Sequence, residues 1–278
     1  MASIHKIGIG TAQFGGNYGI SNSKGQTSDV EVGEILNTAK AHGIRYIDTA
    51  AVYGNAELVL GKQDLKEFRV VSKFLPPIKK ETIGSLLNQS LKTLNLDNIY
   101  GYLAHRPLSL LENKLYWQEM KDLKAEGLIR KIGYSLNNPL ELDMLLKKKY
   151  FPDLVQVPFN YFDNRFENRL IELKEIGCEI HTRSTFLQGL FFMNPDKLGV
   201  FFDEIKPHIH NLQEQNQLLP EALLNHVLNN INIDHVILGV ENNIQLLRNI
   251  NSLNFSTRLE PRQFNFPDRI IMPMYWPK

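Results

Sequence analysis

AHGIRYID, residues 41–48, leaves a helix-like stretch through a glycine and enters a short apolar run that ends on an acid. The same event recurs in AEGLIRKIGYS (125–135) and KEIGCEIHTR (174–183). A glycine just past a helix accepts the left-handed backbone that ends the helix and turns the chain back. Three copies of helix, glycine, short loop and strand predict a repeated α/β unit. Strand-type runs occur at KIGIG (6–10), YID (46–48), FRVVSKF (68–74), IYGYLAH (99–105), KIGYS (131–135), LVQV (154–157), EIHTR (179–183) and HVILGV (235–240). Each is apolar without clean alternation, as in strands of a parallel sheet covered on both faces.

Helix patterns lie between the runs. Residues 28–43 place Val30, Ile35, Leu36 and Ala39 on one face, with Ser28 or Asp29 as N-cap and Gly43 as the stop. Similar patterns cover 81–96, 114–129 and 168–180. Eight strands alternating with helices predict an α/β chain folded as one (β/α)8 TIM barrel over residues 1–278. The rival is an open doubly wound sheet, which carries G-x-G-x-x-G after its first strand. GIGTAQFGG (8–16) contains G-x-G, but its later glycines do not fit and no helix pattern opens there.

Composition narrows the function classes. Lys plus Arg number 31 and Asp plus Glu 30, so the chain has no strong field for nucleic acid or an anionic membrane. The single cysteine, Cys178, has no partner for an internal disulfide and fits a reducing compartment. MASIHKIGIGTAQ (1–13) lacks the apolar core of a signal peptide, and no run approaches a membrane span. A cytoplasmic location is expected.

In a barrel, chemistry sits at the C-terminal strand ends. There the sequence places Asp48, with Tyr53 in the loop beyond it, Lys73, and His105. A phenol titrates near pH 10, too high for an efficient proton donor near neutrality. A nearby ammonium favours the phenolate and lowers that pKa, and a buried ammonium needs its own counter-ion. Asp48 holding Lys73 charged, Lys73 polarising Tyr53 and Tyr53 moving a proton form a coherent relay. A neutral His105 can hydrogen-bond a substrate oxygen. Each residue also has an ordinary use: Asp48 as a turn residue, Tyr53 packed in a loop, His105 satisfied at a strand end. Lys73 is harder to place that way, because a lysine inside VVSKF is buried and needs a partner. No metal site is expected. His208 and His210 stand two apart in a helix-like polar region, so their side chains diverge.

With these motifs the chain resembles the aldo-keto reductases over nearly its whole length. GIGTAQFGG is similar to the family's opening glycine-rich strand, and IDTAAVYGNAE (47–57) resembles its D-T-A-x-x-Y-G-x-x-E signature. VVSKF, YLAHRP, KAEGLIRKIGYS, LVQVPFNYFD, STFLQGL and VILGVENNIQLLRNI follow in family order. The resemblance implies hydride transfer from NADPH or NADH to a small carbonyl compound. Asp48, Tyr53, Lys73 and His105 would be the catalytic set. Ser135 and Gln156 would hold the nicotinamide carboxamide. The loop Ser184 to Gly189, with Ser184, Leu187, Gln188 and Gly189, would meet the pyrophosphate, and Arg183, at the end of the strand before it, would lie at the cofactor. Gly239, Glu241, Gln245 and Asn249 would meet the adenosine end.

Three positions depart from the family pattern. Leu136 follows Ser135 where the family has asparagine, with Asn137 one place on. Arg183 replaces a common aromatic; its guanidinium either stacks on the nicotinamide or recognises an anion of the substrate or cofactor. Glu241 stands where a base usually holds the 2′-phosphate, with Arg248 the only cation nearby, so reduced selectivity for NADPH is expected. Two other functions compete: a cofactor-binding sensor barrel with little turnover, and a Schiff-base enzyme using Lys73. Segments 15–29, 190–217 and 264–278 bring Tyr18, Phe191, Phe192, Tyr275 and Trp276 either to an apolar pocket or over the barrel end.

Overall fold

Eight strands close on one another in chain order: β1 (Ile7–Gly10), β2 (Tyr46–Asp48), β3 (Arg69–Phe74), β4 (Ile99–Ala104), β5 (Ile129–Ser135), β6 (Leu154–Pro158), β7 (Glu179–Arg183) and β8 (His235–Gly239). Each runs parallel to the next, and β8 pairs with β1 with Ile7 opposite Val236. This computed structural model describes residues 4–255, 257–260 and 262–277; residues 1–3 and 278, at the ends of the terminal stretches read above, lie outside the described residues. The barrel is the expected (β/α)8 fold.

The helices that clothe it are α1 (Asp29–Ala41), α2 (Ala56–Gly61), α3 (Ile83–Leu94), α4 (Lys114–Ala125), α5 (Pro139–Lys147), α6 (Glu167–Glu175), α7 (Leu219–Leu228) and α8 (Asn243–Ser252). In α1 the Ser28 hydroxyl accepts from Glu31 N, and Val32, Ile35, Leu36 and Ala39 form the buried face. Those positions follow the i, i+3, i+4, i+7 spacing of one helix side. Val30, expected on that face, is 77% exposed because it lies on the other side of the first turn. Helices expected to reach 129 and 180 stop at Ala125 and Glu175. Gly127 and Gly177 take φ values of 82° and 76°, which breaks the helical hydrogen bonding and frees the next residues to enter β5 and β7.

The main apolar core lies between barrel and helices and includes Ile7, Ile9, Ile35, Leu60 and Leu87, each fully buried. Full burial of such a side chain stabilises by about 1.5–3 kcal/mol. A second apolar cluster joins residues 187–219 to the C-terminal tail through Phe162, Phe191, Phe202 and Trp276, whose Nε1 donates to the Ile270 carbonyl at 2.9 Å. It includes helix Lys206–Gln215, on which His208 and His210 are both exposed.

Alternation along the strands sorts the barrel interior into levels. At the N-terminal ends, Glu179 accepts from Tyr100 Oη at 2.7 Å and Lys131 Nζ at 2.6 Å, and lies 2.7 Å from His181 Nε2. Burial pushes the Glu179 carboxyl up, but His181, Lys131 and Tyr100 outweigh it and hold it well below the carboxylate range. His235 joins this group, which is the one convergence of three potential metal donors among the described residues. Above it, Val71, Leu103 and Leu154 make an apolar plug. Two residues further along their strands come Lys73, His105 and Gln156. Among the described residues no helix is long and apolar enough to cross a membrane.

Candidate active site

Asp48 ends β2, and its partner across the ladder is Val71, two residues before Lys73. That stagger brings the two charges together. Lys73 Nζ donates to Asp48 Oδ2 at 2.7 Å and to the Thr49 carbonyl at 2.9 Å. Lys73 is wholly buried and Asp48 is nearly so. The other carboxylate oxygen, Asp48 Oδ1, accepts from Gln156 Nε2 at 2.7 Å, and Ser135 Oγ lies 3.5 Å from Gln156 Oε1. Lys73 Nζ lies 5.0 Å from the centre of the Tyr53 ring, and the His105 ring meets Tyr53 edge to face at 5.8 Å. The four residues from three strand ends thus share one spot.

The Tyr53 loop is seated by a glycine pair. A Cβ on Gly54 would fall 2.0 Å from the Gly15 carbonyl oxygen, and one on Gly15 would fall 1.6 Å from the Tyr53 carbonyl oxygen. Gly54 also has a φ of 56°, and Asn55 N donates to the Gly15 carbonyl at 3.3 Å. A Gly54→Ala change is expected to lower stability by about 1–3 kcal/mol and to reduce kcat by displacing Tyr53; urea unfolding and steady-state kinetics measure the two. Beyond it, Glu57 at the end of the signature accepts from Ser72 Oγ at 2.5 Å, tying α2 to β3 next to Lys73.

Charges here are set by burial first. Burial pulls the Lys73 ammonium down, but Asp48 and then Tyr53 outweigh it, and the pKa ends above 10.5. Burial pushes the Tyr53 phenol above 10.0; Lys73 pulls it down, Asp48 pushes it up again, and the net is a raised value. The expected lowering of Tyr53 is therefore present as a pull from Lys73 but is outweighed by burial, with Asp48 opposing the ammonium as well. Tyr53 stays protonated throughout the neutral range. His105 falls to about 3, through burial and then Lys73, so its imidazole is neutral. Its Nδ1 is buried and has no partner.

A cavity of about 670 Å³ opens over Tyr53 and extends across the ends of β1, β7 and β8. Of the residues singled out in the sequence, Asp48, Tyr53, Gln156, Arg183, Ser184, Gln188, Gly189, Gly239, Glu241, Gln245 and Asn249 line it. Lys73, His105, Ser135 and Leu187 are outside that lining. The Leu187 side chain is fully buried in the second apolar cluster, so only its backbone is left to face a ligand. Among the candidate aromatics, Tyr18 and Phe192 line the cavity; Phe191 and Trp276 pack in the second cluster, and Tyr275 is exposed.

Tertiary contacts add partners that have no local sequence signal. The β7 loop bends through left-handed residues at Ser184, Leu187, Gln188 and Gly189, with φ of 67°, 46°, 53° and 84°. Such runs outside glycine cluster at functional sites. The Gln188 carbonyl accepts from Ser21 Oγ at 3.1 Å, and Gln188 Nε2 donates to Tyr18 Oη at 3.1 Å, clasping the first and seventh loops together. At the far end, the first turn of α8 is already served by this chain's own side chains. Asn243 N donates to Glu31 Oε1 at 2.5 Å, Gln245 N to Asn242 Oδ1 at 2.9 Å, and Glu241 N to Gln245 Oε1 at 2.8 Å.

The Aldo/keto reductase family model matches residues 6–271. An NAD/NADP-dependent indole-3-acetaldehyde reductase of Schizosaccharomyces pombe is 32% identical over 167 residues, 56% of this chain and 56% of that protein. An aldo-keto reductase of Bombyx mori is 30% identical over 187 residues, 60% of each. The chain thus aligns with little more than half the length of these curated relatives. Among solved structures, an aldo-keto reductase of Bacillus halodurans superposes with a TM-score of 0.71 at 20% identity, covering 91% of this chain and 88% of that one. One from Klebsiella pneumoniae in complex with NADPH gives 0.68 at 21%, covering 92% and 87%. These two likenesses concern the fold.

Proposed function

The chain belongs to the aldo/keto reductase family, and from that premise we propose that residues 1–278 act as one barrel that reduces an aldehyde or ketone to its alcohol with NADH or NADPH. The observation that carries this is the buried Asp48–Lys73 ion pair, 2.7 Å long, set beneath Tyr53 at the foot of the cavity. The lining fits a dinucleotide. It runs from Tyr53 to Asn249, and Gln156 keeps Oε1 as an acceptor for a carboxamide while its Nε2 is committed to Asp48. The names of relatives that use NAD, NADP or NADPH support the same cofactors.

A reduced nicotinamide, when bound, supplies the hydride. This chain's residues do the rest. Tyr53 gives its proton to the alkoxide oxygen: burial keeps the phenol protonated, and an alkoxide, a far stronger base than a phenolate, takes the proton from it. Lys73 offsets the charge left on Tyr53, and Asp48 keeps Lys73 charged. His105 is neutral, and its ring lies against Tyr53, where an N–H can steady the substrate oxygen. Gln156, with Ser135 behind it, would hold the carboxamide. The loop with Ser184, Gln188 and Gly189 would hold the pyrophosphate, and Glu241, Gln245 and Asn249 would hold the adenosine end. Oxidation of NADH and NADPH against a panel of aldehydes tests the proposal, and no turnover with any of them sinks it. A Schiff-base role for Lys73 is disfavoured, because its raised pKa and ion pair keep the amine protonated.

Glu241 lines the adenosine end of the cavity and would repel a 2′-phosphate, Arg248 lines the same end and would attract it, and Glu31 already occupies the Asn243 amide at the first turn of α8. Wild type is expected to favour NADPH over NADH by less than about a hundredfold, and Glu241→Gln to move the ratio of kcat/KM about fivefold toward NADPH, as removal of one partly screened charge implies. A stronger native NADPH preference, or an unmoved ratio in the variant, counts against this assignment.

A further inference from the structure

Arg183 closes β7 opposite Pro158 and lines the cavity beside Tyr53 and Asp48. Its guanidinium is fixed from one side. Nη2 donates to Asn137 Oδ1 at 2.8 Å and to the Leu136 carbonyl at 3.2 Å, and Nη1 donates to Ser184 Oγ at 3.4 Å. Asn137, one place past the family's usual asparagine, therefore steers Arg183. All three acceptors are neutral. Among the described residues Arg183 takes part in no ion pair. Two other cations near the strand ends are matched, Lys73 by Asp48 and Arg165 by Asp163 and Asp268, whereas the exposed Arg106 beyond His105 takes part in no ion pair among the described residues but lies outside the cavity lining. A guanidinium has five N–H donors, so two of Arg183's remain unspent.

Two sources of an anion are possible at this spot, the substrate and the cofactor. The nicotinamide end is neutral when reduced and cationic when oxidised, so it offers Arg183 no counter-charge. Arg183 is close enough to the reacting group to pull down the pKa of both Tyr53 and His105. Asp48 and Lys73 cancel each other, which leaves the charge of Arg183 uncompensated in the cavity lining. We propose that the carbonyl substrate carries an anionic group, a carboxylate or a phosphate ester, that pairs with Arg183 while its carbonyl lies against Tyr53. The proposal rests on the reductase reading of the same site. With Nε–H and one Nη1–H unspent and its position held by Asn137, Arg183 can donate a charge-assisted hydrogen bond to such a group.

Paired aldehydes that differ only in the anion test it: 4-oxobutanoate against butanal, and 4-carboxybenzaldehyde against benzaldehyde. Wild type is expected to favour the anionic member by about tenfold or more in kcat/KM, the size of a charge-assisted contact. Arg183→Gln should bring each ratio toward unity, and Arg183→Lys should restore part of it. The ratio cancels any loss common to both substrates. Wild-type ratios near unity, or ratios unchanged in Arg183→Gln, overturn the proposal. So does a variant that keeps its ratios while its Kd for NADH and NADPH rises, since the anion is then the cofactor's phosphate. If wild type reduces neither aldehyde of a pair, calorimetry with succinate separates the two ideas. Arg183-dependent succinate binding then keeps the anion site and removes the reductase reading, whereas no binding removes the anion site as well.

Discussion

Tyr53→Phe is expected to lower kcat by about 10²–10⁴-fold, the range set by losing one positioned general acid. The change deletes a single oxygen. The phenyl ring keeps its edge contact with His105 and its place over Lys73 Nζ, so the fold and the cavity wall persist. Binding of NADH or NADPH, read by fluorescence quenching, should change little. A kcat that stays within a factor of about three of wild type removes Tyr53 as the proton donor. Because burial raises the Tyr53 pKa, the wild-type rate of carbonyl reduction should show no alkaline fall from this group until the pH passes 10.0. A fall near neutrality would assign the proton to another group.

Lys73→Met is expected to have the largest combined effect. It removes the ammonium beneath Tyr53 and leaves the Asp48 carboxylate buried beside Gln156 without its counter-ion. Breaking a buried pair from one side costs about 3–5 kcal/mol, so urea unfolding should show a loss of that size together with loss of turnover. The double variant Asp48→Asn/Lys73→Met removes both charges and keeps an acceptor for Gln156. It should recover most of the stability and none of the activity. Equal instability of the single and double variants would show that the pair is not the cause. The pH dependence has a definite sign. The Lys73 pKa in the folded protein is raised above 10.5, so its contribution is full below about pH 10.5 and is lost as the pH climbs through the raised value. The stability gap between wild type and Lys73→Met should therefore be flat from neutral pH to about 9 and narrow above the unfolded lysine pKa.

The repeating helix–glycine–strand phrase was enough to read the barrel, because it is a local signal: Gly43, Gly127 and Gly177 each have positive φ, and each precedes a strand of the closed sheet. The strand-end positions of Asp48, Lys73 and His105 were equally legible. In a parallel barrel the register links neighbouring strand ends, so residues distant in sequence can be placed at one mouth before any contact is known. Tyr53 was legible as a loop residue next to a glycine. The reason for that glycine was not: Gly54 meets Gly15, almost forty positions earlier, and nothing in either neighbourhood announces the other.

Directions and balances depended on the assembled fold. Arg183 was visible as a departure, but its aim is set by Asn137 from the β5 loop, across a gap no sequence spacing encodes. Glu31 reads as an ordinary first-turn acid of α1, and only barrel closure brings its carboxylate to the first amide of α8. Leu187 sits in a loop motif yet faces the second core, because four left-handed residues rotate that loop. The Tyr53 pKa depends on burial and on charges at Lys73, Asp48 and Arg183 that act in opposite directions, and their distances exist only once the chain is folded. Periodicity and turn chemistry act over a few residues and are written along the chain, which is why the barrel and its chemistry-bearing strand ends could be read there. Side-chain aim, charge pairing and desolvation are set by groups from different βα units, so they emerge only when the barrel has closed.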